Sequence, residues 1–147
     1  MANNVATDRI RRGLLLDRLG TQIDAAYRAG PQFIGGAAGF WSFWVKVTLA
    51  TATSVTLKLE STYAEDDGVP KGWSTVGTRR NDVSPTVENG EHTFAADGVF
   101  LLTCERAARA TDKTIADAFG NVGGLRFSHK GVSVASGTRV EIWGAAW

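Results

Sequence analysis

Phe43-Trp44-Val45-Lys46-Val47-Thr48-Leu49 places Phe43, Val45, Val47 and Leu49 on one side of an extended chain and Trp44, Lys46 and Thr48 on the other. That period of two is the mark of a half-buried strand. Ala50 to Ser54 is small and polar enough to turn the chain, and the alternation then resumes. Val55, Leu57 and Leu59 fall on one side, and Thr56, Lys58 and Glu60 on the other. Outward from this pair, further strands are expected at Trp73 to Thr78, Thr86 to Phe94, Val99 to Arg106, Leu125 to Lys130 and Thr138 to Trp143. Turn chemistry punctuates them at Asp66-Asp67-Gly68, Asn89-Gly90, Asp97-Gly98, Gly123-Gly124 and Ser136-Gly137. Seven short strands separated by such turns predict an all-β fold, an antiparallel β-sandwich of jelly-roll-like kind. Thr111 to Phe119 fits no strand pattern and reads as a helical turn or an excursion between strands.

The segment before Gly30 has a different grammar. Leu16, Leu19, Ile23 and Tyr27 recur at helical spacing behind a possible cap at Thr7 or Asp8, while Gly13 and Gly20 count against a helix. Residues 1–30 are therefore expected to be a helical or extended arm, and residues 31–147 the sandwich. The apolar cluster Leu14-Leu15-Leu16 is cut short by Asp17 and Arg18, so no secretory leader is expected and synthesis is placed in the cytoplasm. No stretch has the roughly 18 to 20 apolar residues that cross a bilayer as a helix.

The chain has 147 residues, of which 44% are hydrophobic and 21% charged, a composition suited to one domain with its own core. Sixteen Lys and Arg against fifteen Asp and Glu leave a net charge of +1. That balance supplies no long-range field for nucleic acid or an anionic membrane. The dense basic spots, Arg9-Ile10-Arg11-Arg12 and Arg79-Arg80, are short and read better as solvated or partner-facing arginines.

No catalytic constellation emerges. His92 and His129 lie far from any two-histidine metal spacing and read as surface or strand-end residues. Cys104, the single cysteine, lies in an apolar strand and reads as a packed thiol. Glu65-Asp66-Asp67-Gly68 reads as a hairpin tip, because three adjacent acids cannot all turn inward on one cation. Nucleotide-binding and nucleophile-elbow motifs are absent from the sequence. The expectation is a protein without enzymatic activity, catalytic residues, metal or cofactor.

The aromatic residues carry more information. Trp41 shares the apolar side of its strand with Phe43, while Trp44 falls opposite, beside Lys46. A Trp on the nominally polar side lies under a loop, in a subunit contact, or on a sugar-stacking platform. The candidate contact residues are Arg9, Arg11, Arg12, Leu16, Leu19, Trp41, Trp44, Trp143 and Trp147; Trp44 and Trp73 are the candidates for a sugar platform. The apolar run Val140 to Trp147 is expected to be covered, either by the N-terminal segment or by another copy.

The order of signals resembles a known group. Gly35-Gly36 precedes the aromatic strand, followed by Ser54-Val55-Thr56-Leu57-Lys58-Leu59-Glu60-Ser61, the turn Asp67-Gly68 and Gly72-Trp73-Ser74-Thr75-Val76-Gly77. After Asn89-Gly90 come Gly124-Leu125-Arg126-Phe127-Ser128 and Gly137-Thr138-Arg139-Val140-Glu141-Ile142-Trp143-Gly144-Ala145. Over residues 33 to 147 this is similar to the small β-sandwich virion proteins of tailed bacteriophages. The arm and the segment Ala107 to Val122 are departures from that pattern. The resemblance implies a non-enzymatic virion component made in the host cytoplasm, with other virion proteins as partners: the major capsid protein, or tail and portal proteins. A capsid decoration (cement) role heads the readings, with a tail or head-tail junction component and a carbohydrate-binding module of a host-recognition appendage as alternatives. Self-association, as a trimer or another closed ring, is implied with it.

Overall fold

In the computed structural model, which describes residues 11–33, 40–62, 72–81, 87–105 and 124–146, both alternating stretches are strands. The chain enters through β1 (Arg11–Leu19), a 3-10 turn (Gly20–Gln22) and β2 (Arg28–Phe33). It continues through β3 (Phe40–Thr48), β4 (Ser54–Thr62), β5 (Ser74–Val76), β6 (Thr78–Arg80), β7 (Val87–Asn89) and β8 (Glu91–Phe94). β9 (Gly98–Glu105), β10 (Gly124–Val132) and β11 (Arg139–Ala146) complete it. The reading of Thr111 to Phe119, the insertion Ala107 to Val122 and the acidic tip at Glu65 to Gly68 lie outside the described residues.

Two antiparallel sheets form. One has the order β1-β11-β3-β9-β6-β7, and the other β2-β10-β4-β5 with β8 also paired to β4. β1 pairs with β11, β2 with β10, β3 with β9 and β4 with β8. The chain is thus one long antiparallel ribbon, rolled so that β11 also meets β3 and β10 also meets β4. This is the jelly-roll solution to burying one face of every strand, and it bears out the expected all-β sandwich.

The core lies between the sheets. Phe43, Val45, Ile142, Val140 and Leu102 from one sheet face Val55, Leu57, Leu59, Leu125, Phe127 and Phe94 from the other, all essentially inaccessible. Phe43 and Phe127 meet edge to face at 4.9 Å, and Phe33 packs on both. Side-chain to backbone bonds tie the loops at one end. The Leu49 amide donates to Asp97 Oδ1 at 2.7 Å, and the Thr138 hydroxyl donates to the Leu49 carbonyl at 2.8 Å.

Two expectations are corrected here. Leu16 to Tyr27 is not helical: β1 runs to Leu19, a 3-10 turn follows, and the chain is extended again from Arg28. A helix would leave the edge of β11 unpaired, whereas β1 matches it from Arg11 opposite Ala146 to Leu19 opposite Arg139. Residues 11–30 are accordingly part of the sandwich, and the boundary expected at Gly30 falls inside β2. The Gly20 position also explains itself, because a methyl there would overlap the Ala135 carbonyl.

Candidate functional site

The outer faces of the two sheets differ in kind. On the β2-β10-β4 sheet, charged groups pair with one another and with aromatic rings. Glu60, nearly buried, accepts bonds from Arg126 Nε at 3.1 Å and from the Ser128 hydroxyl, with Lys58 Nζ 3.6 Å away. The Arg126 guanidinium stacks over Trp73 at 3.9 Å, and the Lys58 and Lys130 ammonium groups sit 4.2 and 4.6 Å from the Tyr27 ring. Burial and then the Glu91 carboxylate hold the Tyr27 phenol protonated beyond its ordinary range.

The outer face of the other sheet carries an apolar row. Register places Leu14 of β1 opposite Trp143 of β11, Trp143 opposite Trp44 of β3, and Trp44 opposite Leu101 of β9. Cross-strand partners share a face at a strand spacing of about 4.8 Å, so the row runs about 14 Å across four strands. Leu14 is 53% exposed, Trp44 40% and Trp143 38%. The next outward row reads Asp17, Glu141, Lys46 and Val99, with Val99 62% exposed. Arg139 clamps Asp17 with two bonds, at 3.0 and 2.9 Å, and lies 3.5 Å from Glu141. That pairing holds the Asp17 carboxyl below its usual range.

A bulge in β1 puts Leu14 on this face. The register slips between Leu14 and Leu16, so Leu14 points outward, Leu16 inward, and the extra residue Leu15 packs against the core edge. Gly144 makes room for that bulge, since a methyl there would meet Leu15 and Trp41. Physically, the row is an apolar surface with no charged group in it, left partly open on the outer face.

Of the residues singled out from the sequence, Trp44 and Trp143 come together in the row, and Leu19 lies exposed on the same face two rows away, opposite Arg139. Leu16 and Trp41 are corrected: both are in the core, at 1% and 3% exposure. Trp41 stacks on Phe43 with ring centres 5.6 Å apart, as its shared side of the strand requires. Arg11 and Arg12 begin β1 opposite Ala146 and Ala145; Arg9 and Trp147 lie outside the described residues. Trp44 lies in β3 whereas Trp73 precedes β5 of the other sheet, so the two form no common platform, and Trp73 is already occupied by Arg126. Leu14, Leu101 and Val99 escaped sequence reasoning, since only strand register puts them beside the tryptophans.

The histidines also need correcting. Both face the core: His92 bonds the Thr78 hydroxyl at 2.7 Å, and His129 is fully buried with neither ring nitrogen hydrogen-bonded. Cys104 packs in the core as expected. Among the described residues there is no group of three or more His, Cys, Asp or Glu placed to hold a metal ion. No helix among them is long and apolar enough to cross a membrane.

No family model matches the chain, and no curated protein matches it. Among solved structures it is similar to the SPBc2 prophage-derived protein YomS, with a TM-score of 0.46 and 9% identity over 93% of each chain. A likeness that distant transfers no role to this chain.

Proposed function

We propose that this chain is a structural protein of a tailed-phage virion, most specifically a capsid decoration protein that binds and stabilises the major capsid lattice. The sequence resemblance supplies the setting, and the apolar row Leu14, Trp143, Trp44, Leu101 is the observation that carries the mechanism. That mechanism is adhesion. A rigid sandwich offers a flat face whose apolar groups gain about 25 cal/mol per Å2 when water is removed. Repetition over a lattice turns modest contacts into firm attachment. The reading assigns no reaction, metal or cofactor to the chain, and its partners are virion proteins, in the particle and not in a membrane. Placement in the tail or at the head-tail junction would use the same face against a different protein.

The test uses particles of the phage whose genome encodes the chain, with and without its gene. Particles lacking it should release DNA at a lower temperature, and added purified protein should pellet with them and restore the wild-type temperature. Equal release temperatures, together with protein left in the supernatant, would remove the decoration role.

A further inference from the structure

We infer that the apolar row is an isologous contact, covered by a second copy of this chain packed face to face. The inference rests on the reading of the row as a protein contact and names its occupant in the free chain, a reversible contact that the lattice replaces on a particle; it does not require a particle to be present. Its ground is the symmetry of the row itself. Across β1, β11, β3 and β9 the outward residues read Leu14, Trp143, Trp44, Leu101, the same types from either end. A two-fold axis lying between the copies, parallel to the strands and midway between β11 and β3, brings Trp143 of each copy opposite Trp44 of the other. The same operation brings Leu14 opposite Leu101. A two-fold contact demands such self-complementarity, because one patch must serve as both surfaces.

Charge fixes this axis over its alternative. In the neighbouring row the order is Asp17, Glu141, Lys46, Val99. The axis along the strands places Glu141 of each copy opposite Lys46 of the other, giving two opposite-charge contacts. Asp17, facing Val99 of the second copy, is already neutralised by Arg139. An axis along the row would instead set Asp17, Glu141, Lys46 and Val99 against the row Arg12, Ala145, Ser42 and Thr103, leaving Glu141 and Lys46 opposite the small, buried Ala145 and Ser42 with no opposite charge. Lys46 has no ion-pair partner among the described residues.

Area gives the strength expected. The exposed parts of Leu14, Trp44, Trp143 and Val99 sum to about 400 Å2 of apolar surface per copy, within the range of the largest patches on ordinary monomers. A standard interface buries about 800 Å2 per partner. The polar rows on the Asp17 and Arg139 side add to it, whereas Ser42 and Ala145 on the other side are already buried and add little. The contact is therefore a reversible dimer, with aligned sheets about 10 Å apart.

Sedimentation equilibrium of the purified chain tests this without a particle. The wild type should shift reversibly between 15.7 kDa and twice that mass as concentration rises. Lys46→Glu alone and Glu141→Lys alone should each weaken association about a hundredfold, because each sets like charges across the axis. An equimolar mixture of the two variants should dimerise again, since every facing pair in the mixed dimer is then of opposite sign. Restoration in the mixture, with each variant monomeric alone, is not available to residues that matter only to folding. A wild type that stays monomeric up to about millimolar concentration (a Kd at the weak end of specific binding) would overturn the inference. So would a mixture that fails to recover, or a dimer that persists in Trp44→Ser/Trp143→Ser. Particle binding by a strictly monomeric chain would overturn the inference and leave the adhesive role standing; a dimer that ignores particles would do the reverse.

Discussion

His129 is fully buried in β10 with both ring nitrogens unpartnered, and desolvation, aided by the nearby Arg18 and Arg28, pushes its pKa down from 6.5 to about 4. Asp24 opposes that shift weakly. The sign of the consequence follows from linkage. Above pH 6.5 the imidazole is neutral in both folded and unfolded chains, and stability is fully present. Between 6.5 and about 4 only the unfolded chain takes up the proton, so stability falls with pH. The loss should approach about 3 kcal/mol near pH 4. Urea titrations at pH 7.5 and 4.5 measure it, and His129→Leu, similar in volume, should remove most of the difference between the two. An equal pH dependence in that variant would show that the fall comes from other groups. A histidine buried in the core with neither ring nitrogen hydrogen-bonded is the least expected of the described residues. Its sequence neighbourhood, Phe127-Ser128-His129-Lys130, barely separates it from a strand-end histidine on the surface. Its parity with Phe127 is the one usable signal.

Among the elements, β3 shows most plainly how one strand serves two purposes. Phe43 has no exposed surface and touches Phe33, Trp41 and Phe127, whereas its neighbour Trp44 is the outward member of the apolar row. Phe43→Ala should destabilise by about 3–5 kcal/mol, the range for an aromatic removed from a packed core. Trp44→Ser should change the stability of the dilute chain by less than about 1 kcal/mol, the scale of surface substitutions. Chemical denaturation at micromolar concentration compares them; a large loss in Trp44→Ser would make that residue part of the fold and not of a contact. β3, β4, β10 and β11 were legible because polar and apolar residues alternate in them cleanly. β9 was legible only as a strand. Its run Val99-Phe100-Leu101-Leu102 is apolar on both faces, so alternation hides that Val99 and Leu101 look outward. β1 was misread because the bulge at Leu15 breaks the period of two, leaving Leu16, Leu19, Ile23 and Tyr27 to imitate a helix. Pairing with β11, a contact more than a hundred residues away in sequence, overrides that local pattern. The row was half visible for the same reason: single residues announce their side of a strand, while register alone says which of them meet.

At the scale of the whole molecule, the two outer faces divide the work. One closes its charges on itself through Glu60, Arg126, Ser128, Lys58 and Tyr27. The other presents a line of Leu and Trp side chains that water solvates poorly. The rolled ribbon makes the slab rigid, because its first and last strands are neighbours and most pairings join distant parts of the sequence. Rigidity lowers the entropy lost when the face is covered, which favours the proposed contact. A density map of the intact phage particle is the most direct test of that claim. The account predicts this sandwich on the capsid shell, repeated with the lattice, with Trp44 and Trp143 buried against polypeptide. A particle without the chain, or a bound chain whose row faces open solvent, would contradict it.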